Sequence, residues 1–128
     1  MNNIKTLPKF PCPCCGYIVF SELPGSYEIC PICYWEDDDV QLRQPNMGGG
    51  ANKVSLVEAQ KNFVAFGANI AEHIKYVHKP TKGDERDETW RMFNKDVDAP
   101  EIPSKDFNEA YKINPSRLYY WKRNKLEF

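Results

Sequence analysis

Residues 12–34 read CPCCGYIVFSELPGSYEICPICY, and the spacing of their cysteines decides how the whole chain is read. Five cysteines occur, at positions 12, 14, 15, 30 and 33. Leaving out Cys14 gives a C-x2-C pair, fourteen intervening residues and a second C-x2-C pair, close to the two-knuckle spacing of zinc ribbons. Two residues between cysteines let a tight turn aim both thiolates at one ion, while N–H groups of the turn bond to the sulfurs. Pro13 and Pro31 preset φ at the start of each turn, and Gly16 is free to take the positive φ that ends the first. Tyr34 stands where the second turn would have its glycine, so strain or a different exit is expected there.

The expected ligands are therefore Cys12, Cys15, Cys30 and Cys33. A closed set of four thiolates leaves no position for water, so the ion expected is a structural Zn2+; iron uses the same ligands in rubredoxin-like sites. The competing reading, five buried free thiols packed as small hydrophobes, does not explain two proline-containing pairs at this spacing. Four thiolates outweigh a divalent ion in charge, so backbone N–H groups and a nearby cation, Lys9 by sequence, are expected to compensate. Cys14 is expected to point away from the metal, toward solvent or neighbouring chain, as a packed or alternative ligand sulfur. The first residues, MNNIKTLPKF, lack the pattern of a secretion signal, and the compartment expected is the reducing cytoplasm, where this spacing means metal and not disulfides.

Between the knuckles, Tyr17–Phe20 and Ser26–Ile29 read as two short strands joined by a turn at Leu23-Pro24-Gly25, a zinc-ribbon hairpin. Ser55 and Glu58 form a capping box, so a helix begins there. Leu56, Ala59, Phe63 and Phe66 recur at helical spacing, and Gly67 suits the exit. Residues 70–78 read as a second short helix with Ile70, Ile74 and Val77 inward. Gly48-Gly49-Gly50 lacks the lysine and hydroxyl of a phosphate loop and reads as a connector.

Four stretches in fixed order, CPCCGY at 12–17, YEICPICYWEDDD at 27–39, GGGAN at 48–52 and SLVEAQKNFVAFGA at 55–68, resemble the bacterial cysteine-rich CPCC domain family. The resemblance continues through Lys79-Pro80 and Arg86–Trp90 and so covers most of residues 11–91. It implies a small zinc-ribbon-type domain and leaves the biochemical role open. The placement of some members near toxin genes implies immunity proteins.

Beyond the resemblance, Asp98–Pro103 reads as an extended connector and Asp106–Lys112 as a short helix capped by Ser104. Leu118-Tyr119-Tyr120-Trp121 is followed by Lys122, Arg123 and Lys125. Aromatics interleaved with basic residues stack bases and bind phosphates in nucleic-acid modules. The alternative is a last strand packed on the domain.

The chain has 128 residues, 41% hydrophobic, and a formal net charge of −1, enough for one core and with no global pull toward nucleic acid or anionic membrane. No apolar run approaches the roughly 20 residues that cross a bilayer. Residues 36–39 are acidic and follow Trp35, so Trp35, Glu36, Asp37, Asp38 and Asp39 are the candidate surface for a protein partner, against a solvated turn as the plainer reading. His73 and His78 lie five apart, cannot share a helix face, and neighbour no plausible nucleophile in sequence.

The expectation is an α+β fold: a zinc-ribbon hairpin with two cysteine knuckles packed on a few short helices. Residues 1–93 would form the CPCC domain and residues 94–128 an extension packed on it. Its expected function is non-enzymatic protein interaction, as in an immunity-type inhibitor of a toxin, with no small-molecule substrate. The alternatives are a zinc-ribbon nucleic-acid module using Lys122, Arg123 and Lys125, and a rubredoxin-like electron carrier.

Overall fold

The structure, a computed structural model, describes residues 10–98 and 118–122. The α+β expectation holds: a small antiparallel pair, the cysteine knuckles and a few short helices share one core. Strand β1 (Phe10–Pro11) pairs with β2 (Ile18–Phe20), Phe10 opposite Phe20 and Pro11 opposite Ile18, with a bulge between Phe10 and Pro11. This pairing corrects the expected hairpin. β2 turns back across its own knuckle, and Ser26–Ile29 is not a strand. Ile29 instead makes an isolated antiparallel bridge to Glu36 across the second knuckle. The physical reason is that each knuckle reverses the chain by itself, so each strand's nearest partner is the other arm of the same knuckle.

The segment between the knuckles is held by side chains instead. Glu28 accepts from the N–H of Ser21 (3.1 Å), the hydroxyl of Ser21 (3.1 Å) and the N–H of Glu22 (3.2 Å). Helix α1 (Asp39–Arg43) starts on Asp38, whose Oδ1 accepts from the N–H groups of Val40 and Gln41. The Gly48–Gly50 connector closes against α1, because Ala51 N–H donates to Asp38 Oδ2 at 2.9 Å.

Helix α2 (Leu56–Phe66) begins and ends where its caps place it. Ser55 Oγ accepts from Glu58 N–H at 3.1 Å, and Gly67 leaves in the left-handed region at φ 86. Its inner face is Leu56, Ala59 and Gln60, all buried, with Phe63 at the margin; Phe66 is 38% exposed. A 3-10 helix spans Ala71–Tyr76 and buries none of its residues, so Ile74 faces out where an inward position was expected. Hydrogen bonding by i→i+3 rotates successive residues differently from an α-helix, which breaks the expected 70/74/77 stripe.

The core joins the knuckles, Phe20, Ile32, Trp35, Leu42, Leu56 and Ala59 to Leu118–Trp121. The latter segment ends in a 3-10 turn (Tyr120–Lys122) where a strand was expected. The proposed helix at 106–112 and the connector at 99–103 lie outside the described residues. Among the described residues no helix is long and apolar enough to cross a membrane.

Candidate metal centre

The two knuckles are built alike. In the first, Gly16 N–H donates to Cys12 O (2.7 Å) and Cys12 N–H to Tyr17 O (2.8 Å). In the second, Tyr34 N–H donates to Cys30 O (2.8 Å) and Cys30 N–H to Trp35 O (2.9 Å). The closing residues share a left-handed backbone, φ 84 at Gly16 and φ 74 at Tyr34. Only glycine fits the first position: a Cβ there would come 2.7 Å from the Trp90 ring. Tyr34 instead carries the roughly 1–2 kcal/mol cost of that region. Its ring lies against His73 (centroids 4.3 Å apart) and Tyr76 (5.2 Å), which offsets the cost.

These turns bring Cys12, Cys15, Cys30 and Cys33 together. Their four sulfurs lie within 4.8 Å of one another, and all four residues are fully buried. Cys12 Sγ is 3.6 Å from Cys33 Sγ, and Cys15 Sγ is 3.7 Å from Cys30 Sγ. At a Zn–S bond of about 2.3 Å, a tetrahedron of sulfurs has edges of about 3.8 Å. The donor set therefore fits a tetrahedral thiophilic ion. Ile32 N–H points at Cys30 Sγ (3.3 Å) and Trp35 N–H at Cys33 Sγ (3.4 Å), the turn donors that thiolates require.

The protonation of the sulfurs matches a site completed by a cation. Burial pushes Cys12, Cys15 and Cys33 above their ordinary values, with neighbouring sulfurs raising Cys12 and Cys33 further. Burial also acts against ionisation of Cys30, but hydrogen bonds from Cys12, Cys15 and Cys33 outweigh it and hold that thiol well below its usual range. A divalent ion that binds there displaces the protons of the thiols.

The outer supports come from far along the chain. Pro13 O accepts from Gln60 Nε2 and Trp90 Nε1, both at 2.9 Å. Cys33 O accepts from Asn69 N–H (2.7 Å), Tyr34 O from Asn69 Nδ2 (3.3 Å), and Pro31 O from His78 N–H (3.3 Å). Arg86 Nε donates to Cys15 O (2.9 Å), with its guanidinium over the rings of Tyr17 and Trp90 at 5.0 and 4.9 Å. Arg86 thus sets a cation against the first knuckle; Lys9 lies outside the described residues. Sequence reading missed Gln60, Asn69, Trp90 and Arg86 as supports. Only Gln60 carried a signal, a polar residue on the inner face of α2, one turn after Leu56.

Cys14 is the packed sulfur among its expected alternatives. It stays out of the four-sulfur group, yet it is fully buried and offers no sulfur to solvent. Trp35 is also fully buried, and its indole N–H has no partner among the described residues.

Asp37 and Asp38 of the acidic run expected as a docking surface turn inward. Asp37 is 2% exposed and accepts from the hydroxyl (2.7 Å) and N–H (3.3 Å) of Ser26, and Asp38 caps α1. Glu36 and Asp39 are half-buried, and Glu36 N–H is taken by Asn52 Oδ1 at 2.8 Å. Burial raises the Asp37 carboxyl to about 6, against the Ser26 bonds, with Glu28 and Asp39 adding repulsion. Its folded value lies above its unfolded one, so its stabilising share is present in acid and lost as pH rises through about 6. Between pH 5 and 7.5 the wild type should lose about 1.4 kcal/mol relative to Asp37→Asn, measured by denaturant unfolding of both proteins.

The aromatic part of the C-terminal end is likewise spent inside, while Lys122 stays exposed. Tyr119, Tyr120 and Trp121 are buried, and Lys122 Nζ lies 3.1 Å from Asp87 Oδ2. Arg123 and Lys125 lie outside the described residues. His73 Nδ1 meets Asn69 Oδ1 at 2.8 Å and its ring lies tilted against Tyr34.

A family model described as cysteine-rich CPCC matches residues 10–84, which hold both knuckles and α2. No curated protein matches the chain.

Proposed function

The chain belongs to the cysteine-rich CPCC family, and on that premise we propose that one structural zinc ion holds its fold and that it acts by binding a protein partner, without catalysis. The observation that carries the metal reading is the set of four buried sulfurs within 4.8 Å of one another. Four thiolates saturate a tetrahedral ion, which leaves no position for a substrate or an activated water. In comparable peptides such an ion contributes about 10–16 kcal/mol to folding near neutral pH.

The non-catalytic reading draws support from how the polar groups are used. His73 is bonded to Asn69 and packed against Tyr34, while Asp37 and Asp38 are committed to Ser26 and to the start of α1. Immunity-type inhibition of a toxin in the cytoplasm is the form of partner binding that the family resemblance favours.

Elemental analysis of natively purified protein, with thiols counted before and after chelation, tests the reading. The expected result is about one zinc per chain and five protected thiols that all become reactive once the metal is removed. Iron with a red chromophore would transfer the site to electron transfer. No metal, with thiols reactive from the start, would remove the structural ion altogether.

A further inference from the structure

The outer side of α2 and the 3-10 helix at Ala71–Tyr76 enclose a groove of about 550 Å³. Phe63, Val64, Phe66, Ile74, Val77 and Pro80 form its apolar wall. Three of these residues are unusually open for their size: Val64 is 72% exposed, Ile74 46% and Phe66 38%. A contiguous apolar surface of this kind, left uncovered by the described residues, marks a binding surface far better than scattered single residues do.

The charge in the lining of the groove is of one sign. Its lining includes Lys79 and His78 and no carboxylate. Lys61, exposed on α2 three residues before Val64, adds a second ammonium at the edge. Neither lysine has an acidic partner among the ion pairs of the described residues. The imidazole of His78 is taken up by its neighbour's carbonyl, Lys79 O, at 2.9 Å. A small polar ligand would need several convergent donors and acceptors deep in the cavity, and the apolar wall supplies none.

We infer that this groove is the docking site for an acidic amphipathic helix of a partner protein. Bulky apolar residues of that helix, one turn apart, seat between Phe63, Val64 and Ile74, and flanking carboxylates meet Lys79 and Lys61. The inference rests on the partner-binding reading above and gives it a surface, in place of the acidic run whose Asp37 and Asp38 turn inward. Helix-in-groove recognition supplies the affinity through apolar anchors and the orientation through the rim charges.

The test is selection of a displayed library of random peptides of about 12 residues on the metal-loaded full chain, with Val64→Glu and Lys79→Glu as comparison targets. Both changes fall on the surface, so each variant should keep the metal content and melting temperature of the wild type. Selected peptides should combine apolar residues at helical spacing with Asp or Glu, and each variant should weaken them by about tenfold or more. Lys79→Glu should in turn prefer the same peptides with lysine in place of the acid. Peptides indifferent to both variants would overturn the groove and leave the partner-binding reading standing. Failure to select any peptide would remove both. A concentration-dependent dimer abolished by Val64→Glu would assign the groove to a second copy and overturn the inference.

Discussion

Replacing Cys33 by serine is expected to release the metal and abolish the cooperative unfolding transition of the chain. Cys33 belongs to the buried four-sulfur group, its sulfur receives Trp35 N–H, and its carbonyl receives Asn69 N–H. A serine hydroxyl is a poor ligand for a thiophilic ion and is too short to restore a Zn–S bond of about 2.3 Å. The loss is set against a metal contribution of about 10–16 kcal/mol, as large as the whole stability of a typical domain. Excess zinc should not recover the transition followed by circular dichroism. Cys14→Ser is the matched control, equally buried but outside the sulfur group. It should keep one ion per chain and lose about 1–3 kcal/mol, the cost of burying a hydroxyl in place of a thiol. Loss of the ion from Cys14→Ser, with retention in Cys33→Ser, would overturn the ligand assignment.

A chain ending at residue 117 is expected to melt far below the full chain, or not to fold cooperatively, although it retains every cysteine and the whole family match. Leu118, Tyr119, Tyr120 and Trp121 are 2%, 3%, 2% and 7% exposed, and they share one core with the knuckles. Truncating a single buried aromatic costs about 3–5 kcal/mol, so removing this segment approaches the whole of a marginal domain's stability. The segment also supports the metal centre through a relay of hydrogen bonds. Tyr120 Oη donates to Arg91 O (2.5 Å) and accepts from Gln60 Nε2 (2.8 Å), which also donates to Pro13 O in the first knuckle. Trp121 Nε1 and Lys122 Nζ both reach Asp87 Oδ2. Metal transfer to a chromophoric chelator should therefore be faster from the truncated chain. A melting temperature within a few degrees of the full chain would show that residues 1–117 fold without the aromatic end. A milder version, Tyr120→Phe, should cost about 1–2 kcal/mol by leaving Gln60 and Arg91 O each one partner short.

Features that depend on neighbours along the chain were legible in the sequence. The C-x2-C pairs, the proline in each turn, Gly16, and the Ser55–Glu58 cap with Gly67 at the exit all work over a few residues. Their spacing alone determined the cysteine knuckles and both ends of α2. Tyr34 was legible as an anomaly, and it takes the left-handed backbone that its place in the turn demands.

What only the tertiary structure decided depends on groups far apart. Asp37 and Asp38 read as a solvated acidic run because their partners, the Ser26 hydroxyl and the Ala51 N–H, are fixed only when the loops close over them. The aromatic end read as core, with a nucleic-acid platform as the alternative, since hydrophobic burial is nondirectional and sequence does not name the surface it meets. Arg86, Gln60 and Trp90 support the knuckles across separations of 71, 47 and 77 residues, which no local pattern encodes. By itself, then, the sequence determined which four sulfurs share one site. Tertiary packing decided which side chains support that site and which apolar face lies exposed among the described residues.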